Sequence, residues 1–160
     1  MLNEDVIKAS PLTKIKNLKE TKVVNTTFND AEIKRMLNVW KFSDYLSARN
    51  KCIIAVLSDT GIRASELLNI KDNDLSEQHI RIHGKGDKWR VVPIYDELNY
   101  FITKYRRIRD NHFKHIRNRN KNERKIAENL FLNKTGDEIK TVANLQIMIK
   151  ETAIKAKVRE

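Results

Sequence analysis

The chain has little of the chemistry on which several protein classes depend. Only one of its 160 residues, Cys52, is a cysteine, so the core has to form without disulfide staples. That cysteine lies in the apolar run 52–57, which predicts a buried small side chain rather than a nucleophile. No apolar stretch approaches the roughly 18 residues that a membrane-spanning helix needs, and no secretory signal is visible. We therefore expect a cytoplasmic protein without a membrane partner.

Acidic residues are scarce relative to basic ones. The chain has 32 Lys and Arg against 21 Asp and Glu, a net charge of +11. Such an excess favours a polyanionic partner, and nucleic acid before an acidic membrane, although charge alone also fits a protein that is merely soluble and basic. Ten Lys or Arg and only two acids fall in residues 104–125, which form either a solvated helix end with its loop or a DNA contact.

Metal-ligand clusters are also lacking. His112 and His115 have a helical spacing, but no cysteine or carboxylate cluster accompanies them. We expect both histidines at the surface, and we expect no metal and no other cofactor.

Helical periodicity dominates the chain from residue 27 onwards. Asn29 followed by Glu32 predicts a capped helix start. The apolar spacing predicts four further helices, near residues 46–58, 63–70, 98–108 and 145–156. Between residues 79 and 94 the period changes to two, which predicts a hairpin. The expected fold is mainly α with a small antiparallel β-sheet (α+β), in one domain over residues 27–160 that follows a basic arm, residues 1–26.

Two short motifs carry the chemistry. In residues 60–67, Arg63 lies two residues beyond the Gly61 turn, where a helix begins and free N–H groups favour an anion. In residues 83–93, Lys85 lies in a glycine-flanked turn between the two strands. A forked guanidinium and a mobile ammonium in this arrangement suit one anionic target. In so basic a chain we expect that target to be a phosphate of double-stranded DNA.

The two motifs also resemble a known family. Thr-Gly-Ile-Arg-Ala-Ser-Glu-Leu from residue 60 resembles the first arginine box of the tyrosine recombinases, also called phage integrases. His-Gly-Lys-Gly-Asp-Lys-Trp-Arg-Val-Val-Pro from residue 83 resembles the catalytic-lysine hairpin of that family, and the order is the same. The resemblance extends over residues 27–158. It implies an enzyme that exchanges DNA strands through a 3′-phosphotyrosyl link, without a metal, a nucleotide cofactor or a small-molecule substrate.

The resemblance implies a role for each site residue. Arg63 would donate forked hydrogen bonds to the non-bridging oxygens of the scissile phosphate, and Lys85 would protonate the departing 5′-oxygen. Lys88 and Arg90 are expected to contact backbone phosphates, and Glu66 to orient the Arg63 guanidinium. Two alternatives stay open: Lys88 could replace Lys85 as the acid, and Arg63 could simply form the ordinary helical ion pair with Glu66.

The remaining parts of the family pattern are missing. The chain has no His-x-x-Arg box, and none of its tyrosines matches the context of the nucleophile. All of the tyrosines are expected upstream or in helices that need them for packing: Tyr45, Tyr95, Tyr100 and Tyr105. We therefore expect a truncated tyrosine-recombinase catalytic core, which binds DNA weakly and cuts nothing by itself.

The intact parent is expected to come from a mobile element or prophage and to self-assemble on DNA. Three alternatives differ from this hypothesis. The chain could be a natural non-catalytic product that occupies recombination sites or pairs with the full-length enzyme. It could be a basic helical adaptor that only mimics the motifs, or a relative of the type IB topoisomerases, which share the chemistry.

Overall fold

The regular elements in the described part of the chain are five α-helices, one short 3₁₀ helix (Asp72–Asp74) and one two-stranded sheet. The structure is a computed structural model that describes residues 27–84, 86–119 and 125–158, the side chains of residues 115–119 excepted. The elements are α1 (Asp30–Val39), α2 (Tyr45–Thr60), α3 (Ala64–Asn69), β1 (His79–Gly84), β2 (Lys88–Pro93), α4 (Asp96–Arg119) and α5 (Val142–Lys155). The predicted class, mainly helical with a small antiparallel sheet, is confirmed. The arm predicted for residues 1–26 lies outside the described residues.

Local capping interactions set the start of helix α1 and the end of helix α2. The Asn29 Oδ1 atom accepts from the Glu32 N–H at 2.9 Å, and the Glu32 carboxylate accepts from the Asn29 N–H at 2.8 Å, so the predicted capping box is present. Helix α2 ends at Gly61, which has φ 61° and donates its N–H to Leu57 O at 3.1 Å. Glycine adopts this left-handed conformation at little cost. The chain thereby reverses, and Arg63 becomes the N-cap of α3.

Helix α2 is central to the core and packs against α4. Cys52 is fully buried, as predicted, and burial raises the pKa of its thiol. Two buried tyrosines, one from each helix, are hydrogen-bonded to the segment that follows α4. The Tyr45 hydroxyl donates to Leu132 O at 2.8 Å, and the Tyr105 hydroxyl donates to Leu130 O at 2.9 Å. The polar end of each ring is therefore satisfied inside the core.

The apolar run 130–132, too short to assign from its period, is buried and belongs to no helix or strand, and Leu132 forms an isolated bridge with Glu138. It anchors the C-terminal end of α3, because the Leu130 N–H donates to Ile70 O at 2.7 Å. Next to it, the Asn129 side-chain amide donates to Leu68 O at 2.9 Å. These bonds satisfy carbonyl groups that the end of the helix leaves free. Helix α3, which carries the first motif, is thus fastened to the core at the end away from Arg63.

The hairpin has two different faces. Gly84 pairs with Lys88 and Ile82 with Arg90, and successive residues alternate between the faces. Ile80 and Ile82 of β1 are buried against the core. The opposite, outer face is open to solvent and carries Arg81, His83, Trp89 and Val91.

Two expectations about aromatic side chains are wrong. His112 is not at the surface: it is half-buried, and its ring stacks on the Tyr45 ring with 4.6 Å between centroids. Seven residues, or about two helical turns, separate it from Tyr105, so both side chains lie on the side of α4 that faces α2. Tyr95 and Tyr100 do not pack in the core either but are exposed. Tyr95 precedes α4, and Tyr100 lies on its solvent side. The side chain of His115 is outside the described residues.

The basic block 104–125 is only partly a solvated surface. Arg109 is buried, and its Nη1 and Nη2 atoms donate to Asp72 Oδ1 and Oδ2 at 3.0 and 2.6 Å. Arg106 reaches the same carboxylate at 3.4 Å from a more exposed position. Arg109, one of the ten basic residues of this block, therefore forms an ion pair inside the fold instead of facing solvent. Residues 120–124 of the block lie outside the described residues.

Candidate active site

Arg63 is held at its backbone and open at its side chain. As the N-cap of α3, it donates its N–H to Glu66 Oε2 at 2.8 Å. Its Nη1 atom lies 3.3 Å from Glu66 Oε1, while 77% of the side chain is exposed. The helical ion pair and the orienting contact considered from the sequence are thus the same interaction. The guanidinium is oriented by Glu66 and still accessible to an anion from solvent.

Glu66 connects the two motifs. Only 6% of its side chain is exposed, although it is charged. The carboxylate accepts from Arg90 Nη1 at 2.7 Å and from Arg90 Nη2 at 2.8 Å, a bidentate pair between α3 and β2. The hydrogen bonds from Arg90, and then the N–H of Arg63, lower the pKa of Glu66 from 4.5 to about 2. The side chain is therefore ionised at neutral pH and holds two cations at one position.

Arg90 differs from the simple phosphate contact that the sequence predicts. Both of its terminal nitrogens are used by Glu66, and 43% of its side chain remains exposed. Pairing with Glu66 raises the already high pKa of the guanidinium. Its first role in the fold is to fasten the hairpin to the helix of the first motif. Two guanidinium groups share a single carboxylate, so the cluster of Arg63, Glu66 and Arg90 has a net charge of +1.

The turn of the hairpin begins beside this cluster. A Cβ atom on Gly84 would lie 3.6 Å from Arg90 Nη1 and 3.7 Å from Glu66 Oε1. Lys88, at the other end of the turn, pairs with Gly84 and is exposed. Lys85 itself lies outside the described residues. The Gly84 end of the turn nevertheless lies beside the carboxylate that orients Arg63, and Arg90 of the returning strand binds the same carboxylate.

The described residues contain no group of three His, Cys, Asp or Glu side chains arranged to hold a metal ion. In the same part of the chain, no helix combines the length and the apolar character that crossing a membrane requires. The chemistry that the cluster offers is electrostatic: oriented donors that can bind a phosphate oxygen.

With this geometry, residues 26–160 match the phage integrase family. The chain belongs to that family. It is 32% identical to tyrosine recombinase XerD of Oceanobacillus iheyensis over 107 residues, which are 66% of this chain and 36% of that protein. It is 44% identical to tyrosine recombinase XerH of Campylobacter jejuni over 79 residues, which are 46% of this chain and 22% of that protein. The chain therefore spans about a third or less of the length of these relatives.

Solved structures of recombinases have the same fold. XerH bound to a palindromic difH substrate in a post-cleavage complex superposes with a TM-score of 0.68 at 24% identity, covering 90% of this chain and 40% of XerH. XerA recombinase superposes with a TM-score of 0.65 at 20% identity, covering 86% of this chain and 46% of XerA. At these identities the superposition establishes the fold.

The bond between Glu66 and Arg90 was not expected from the sequence. The signal that could have revealed it is the alternation along β2. Arg90 pairs with Ile82, whose side chain is buried, so it occupies a position that faces the core. A charged residue at such a position needs a partner of opposite charge, and Glu66 is the acid of the neighbouring motif.

Proposed function

We propose that this chain is the first part of the catalytic domain of a site-specific DNA recombinase. In the complete protein, this domain cuts and rejoins DNA through a 3′-phosphotyrosyl intermediate. The proposal depends on one observation: the exposed Arg63 guanidinium, the Gly84 end of the turn that contains Lys85, and Arg90 of the returning strand all lie at the Glu66 carboxylate. Origin in a mobile element, self-assembly on DNA and a cytoplasmic location remain predictions.

Each residue has a distinct part in the proposed reaction. Arg63 donates to the non-bridging oxygens of the scissile phosphate and stabilises the charge that develops there. Lys85 protonates the departing 5′-oxygen, a contribution of about 10²–10⁴-fold. Glu66 and Arg90 keep the Arg63 helix and the hairpin in register, and Lys88 contacts a neighbouring backbone phosphate. Each phosphodiester is exchanged for a bond of similar energy, so the reaction requires no nucleotide cofactor.

By itself this chain is proposed to bind duplex DNA without cleaving it. Tyr45 and Tyr105 are buried and donate their hydroxyls to backbone carbonyls, so neither can reach a phosphate. Burial also raises the pKa of both phenols, which disfavours the phenolate. Tyr95 and Tyr100 are exposed, but they lie in sequence contexts unlike that of the family nucleophile.

Fluorescence anisotropy with a labelled duplex of about 30 base pairs tests the DNA-binding part of the proposal. Arg63→Ala should weaken binding and reduce the slope of log K against log salt concentration by about 1, the effect of one lost phosphate contact. The matched control is Lys34→Ala on α1, which removes the same charge from an exposed helix that packs on α2 and α5. The control should retain the affinity and the slope of the unmodified chain.

Two results would contradict the proposal. Equal losses in Arg63→Ala and Lys34→Ala would mean that binding reports only the overall charge of the protein. No measurable binding of the unmodified chain at low salt would remove DNA as its partner. The expected lack of cleavage is tested separately with a nicked suicide substrate, in which a covalent adduct would accumulate. A protein–DNA band that survives denaturing gel electrophoresis would show that the chain contains a nucleophile after all.

A further inference from the structure

A second group of side chains closes the turn of the hairpin from its outer face. The Nε2 atom of His83, at the end of β1, lies 2.8 Å from Asp87 Oδ1, across the turn. The His83 imidazole also stacks on the Trp89 indole, with 4.7 Å between centroids and 27° between planes. The Arg81 guanidinium lies over the same indole at 5.9 Å. None of these contacts involves Arg63, Glu66 or the inner face of the sheet.

Asp87 is an unfavourable residue for a turn that approaches DNA. It is the only acid in the hairpin, residues 79–93, and 92% of its side chain is exposed. It has φ 57°, in the left-handed region that aspartate tolerates better than most residues, and follows Gly86 with φ 77°. A carboxylate at this position is repelled by phosphates. It is also within two residues of Lys85 and next to Lys88, two ammonium groups with which it can pair.

We propose that His83 binds the Asp87 carboxylate and holds it on the outer face of the hairpin, so that the turn presents Lys88 rather than this carboxylate to DNA. The inference rests on the proposed function of the chain as a DNA-binding recombinase fragment. The stacking of Trp89 on His83 keeps the imidazole on the outer face, where it draws the Asp87 side chain away from the Glu66 side of the hairpin. His83 is thus a positioning residue, which acts on DNA through the Asp87 carboxylate.

This arrangement predicts a specific dependence between two substitutions. Loss of His83 releases the carboxylate, which then repels phosphates and competes for the ammonium groups. His83→Ala should therefore weaken duplex binding about fivefold at low salt, the effect of one unit charge a few ångströms from a phosphate in water. Asp87→Asn removes the harmful charge and should bind at least as tightly as the unmodified chain. With Asp87→Asn already present, His83→Ala should have no further effect.

The experiment measures duplex affinity by anisotropy for the unmodified chain, the two single variants and the double variant. The control is His79→Ala, which removes another imidazole from the outer face of β1. His79 is hydrogen-bonded to Ser76 Oγ at 2.8 Å rather than to the turn, so this variant should keep normal affinity. Urea unfolding of each variant, followed by circular dichroism, separates a loss of binding from a loss of folded protein.

Rescue by Asp87→Asn distinguishes positioning from a merely structural role. If His83 only maintained the shape of the hairpin, His83→Ala would weaken binding whether residue 87 is Asp or Asn, and the inference would be overturned. Normal affinity of His83→Ala in the Asp87 background would overturn it as well. Failure of the proposed function is a different result, since the unmodified chain would then not bind duplex DNA at all. That result would remove both proposals.

Discussion

Replacing Glu66 by glutamine tests the central contact of the candidate site. The variant keeps the shape of the side chain and removes its charge. In the unmodified chain the carboxylate accepts hydrogen bonds from both terminal nitrogens of Arg90, at 2.7 and 2.8 Å, and from the Arg63 N–H at 2.8 Å. A glutamine offers a single oxygen, and its NH₂ group would face a donor of one guanidinium. At least one of these hydrogen bonds is therefore lost.

The magnitude follows from the pKa of Glu66. Its decrease from 4.5 to about 2 in the folded protein corresponds to about 3 kcal/mol of preferential stabilisation of the charged form. The side chains of Arg63 and Arg90 are 77% and 43% exposed, so water screens much of this interaction. We therefore expect Glu66→Gln to lower the free energy of unfolding by about 1–2 kcal/mol at pH 7.

The dependence on pH has a definite sign. The pKa is lower in the folded chain than in the unfolded chain, so the stabilisation is complete above about pH 4.5 and is lost as pH falls through about 2. The difference in stability between the unmodified chain and Glu66→Gln should be constant from pH 7 to about pH 5. It should shrink to roughly half by pH 3.

Urea denaturation followed by circular dichroism, at pH 7, 5 and 3, measures these differences. The control is Glu77→Gln, which removes an exposed carboxylate from the loop before β1 and should leave the stability within about 0.5 kcal/mol of the unmodified chain. A Glu66→Gln variant as stable as the unmodified chain at pH 7 would refute the proposed connection between α3 and β2. A deficit that stays the same at pH 3 would show that it does not come from the charge of Glu66.

Three further predictions concern the fold around the site. Arg109→Ala should lower the free energy of unfolding in urea by about 3 kcal/mol, because it removes the buried partner of Asp72. Arg106→Ala, at the exposed side of the same carboxylate, should lower it by less than about 1 kcal/mol, and similar values for both variants would contradict the difference in burial. The Cys52 thiol should not react with a thiol reagent until urea unfolds the chain, and rapid labelling of the native protein would contradict its burial. Gly61→Ala should lower the unfolding free energy by about 1 kcal/mol because of the positive φ at that position, and no change would contradict the left-handed cap.

Much of the fold could be predicted because its signals are local. The capping box of Asn29 and Glu32 and the cap at Gly61 depend on residues within one turn of each other, and both are confirmed. The change of period at residues 79–94 likewise depends on near neighbours, and it predicted the hairpin. Burial of Cys52 followed from the apolar residues around it.

The predictions that failed concern which side of an element faces its neighbour. The spacing of His112 and His115 predicts that both belong to one helix. It does not indicate which side of that helix, α4, packs against α2. In the folded chain His112 stacks on Tyr45, which is 67 residues earlier, whereas Tyr100 of the same helix is exposed. Such pairings depend on the packing of complete helices, which no local pattern contains.

The sequence by itself determined the two motifs, their order, the elements that carry them and the positive charge of the chain. It also indicated the family. Only the tertiary structure decided that Glu66 joins Arg63 to Arg90, and that Arg109 pairs with Asp72 rather than facing solvent. The physical reason is that periodicity and capping arise between residues a few positions apart. Glu66 and Arg90 are 24 residues apart in the sequence, and Asp72 and Arg109 are 37 apart. These ion pairs form only once a shared core has brought their elements together.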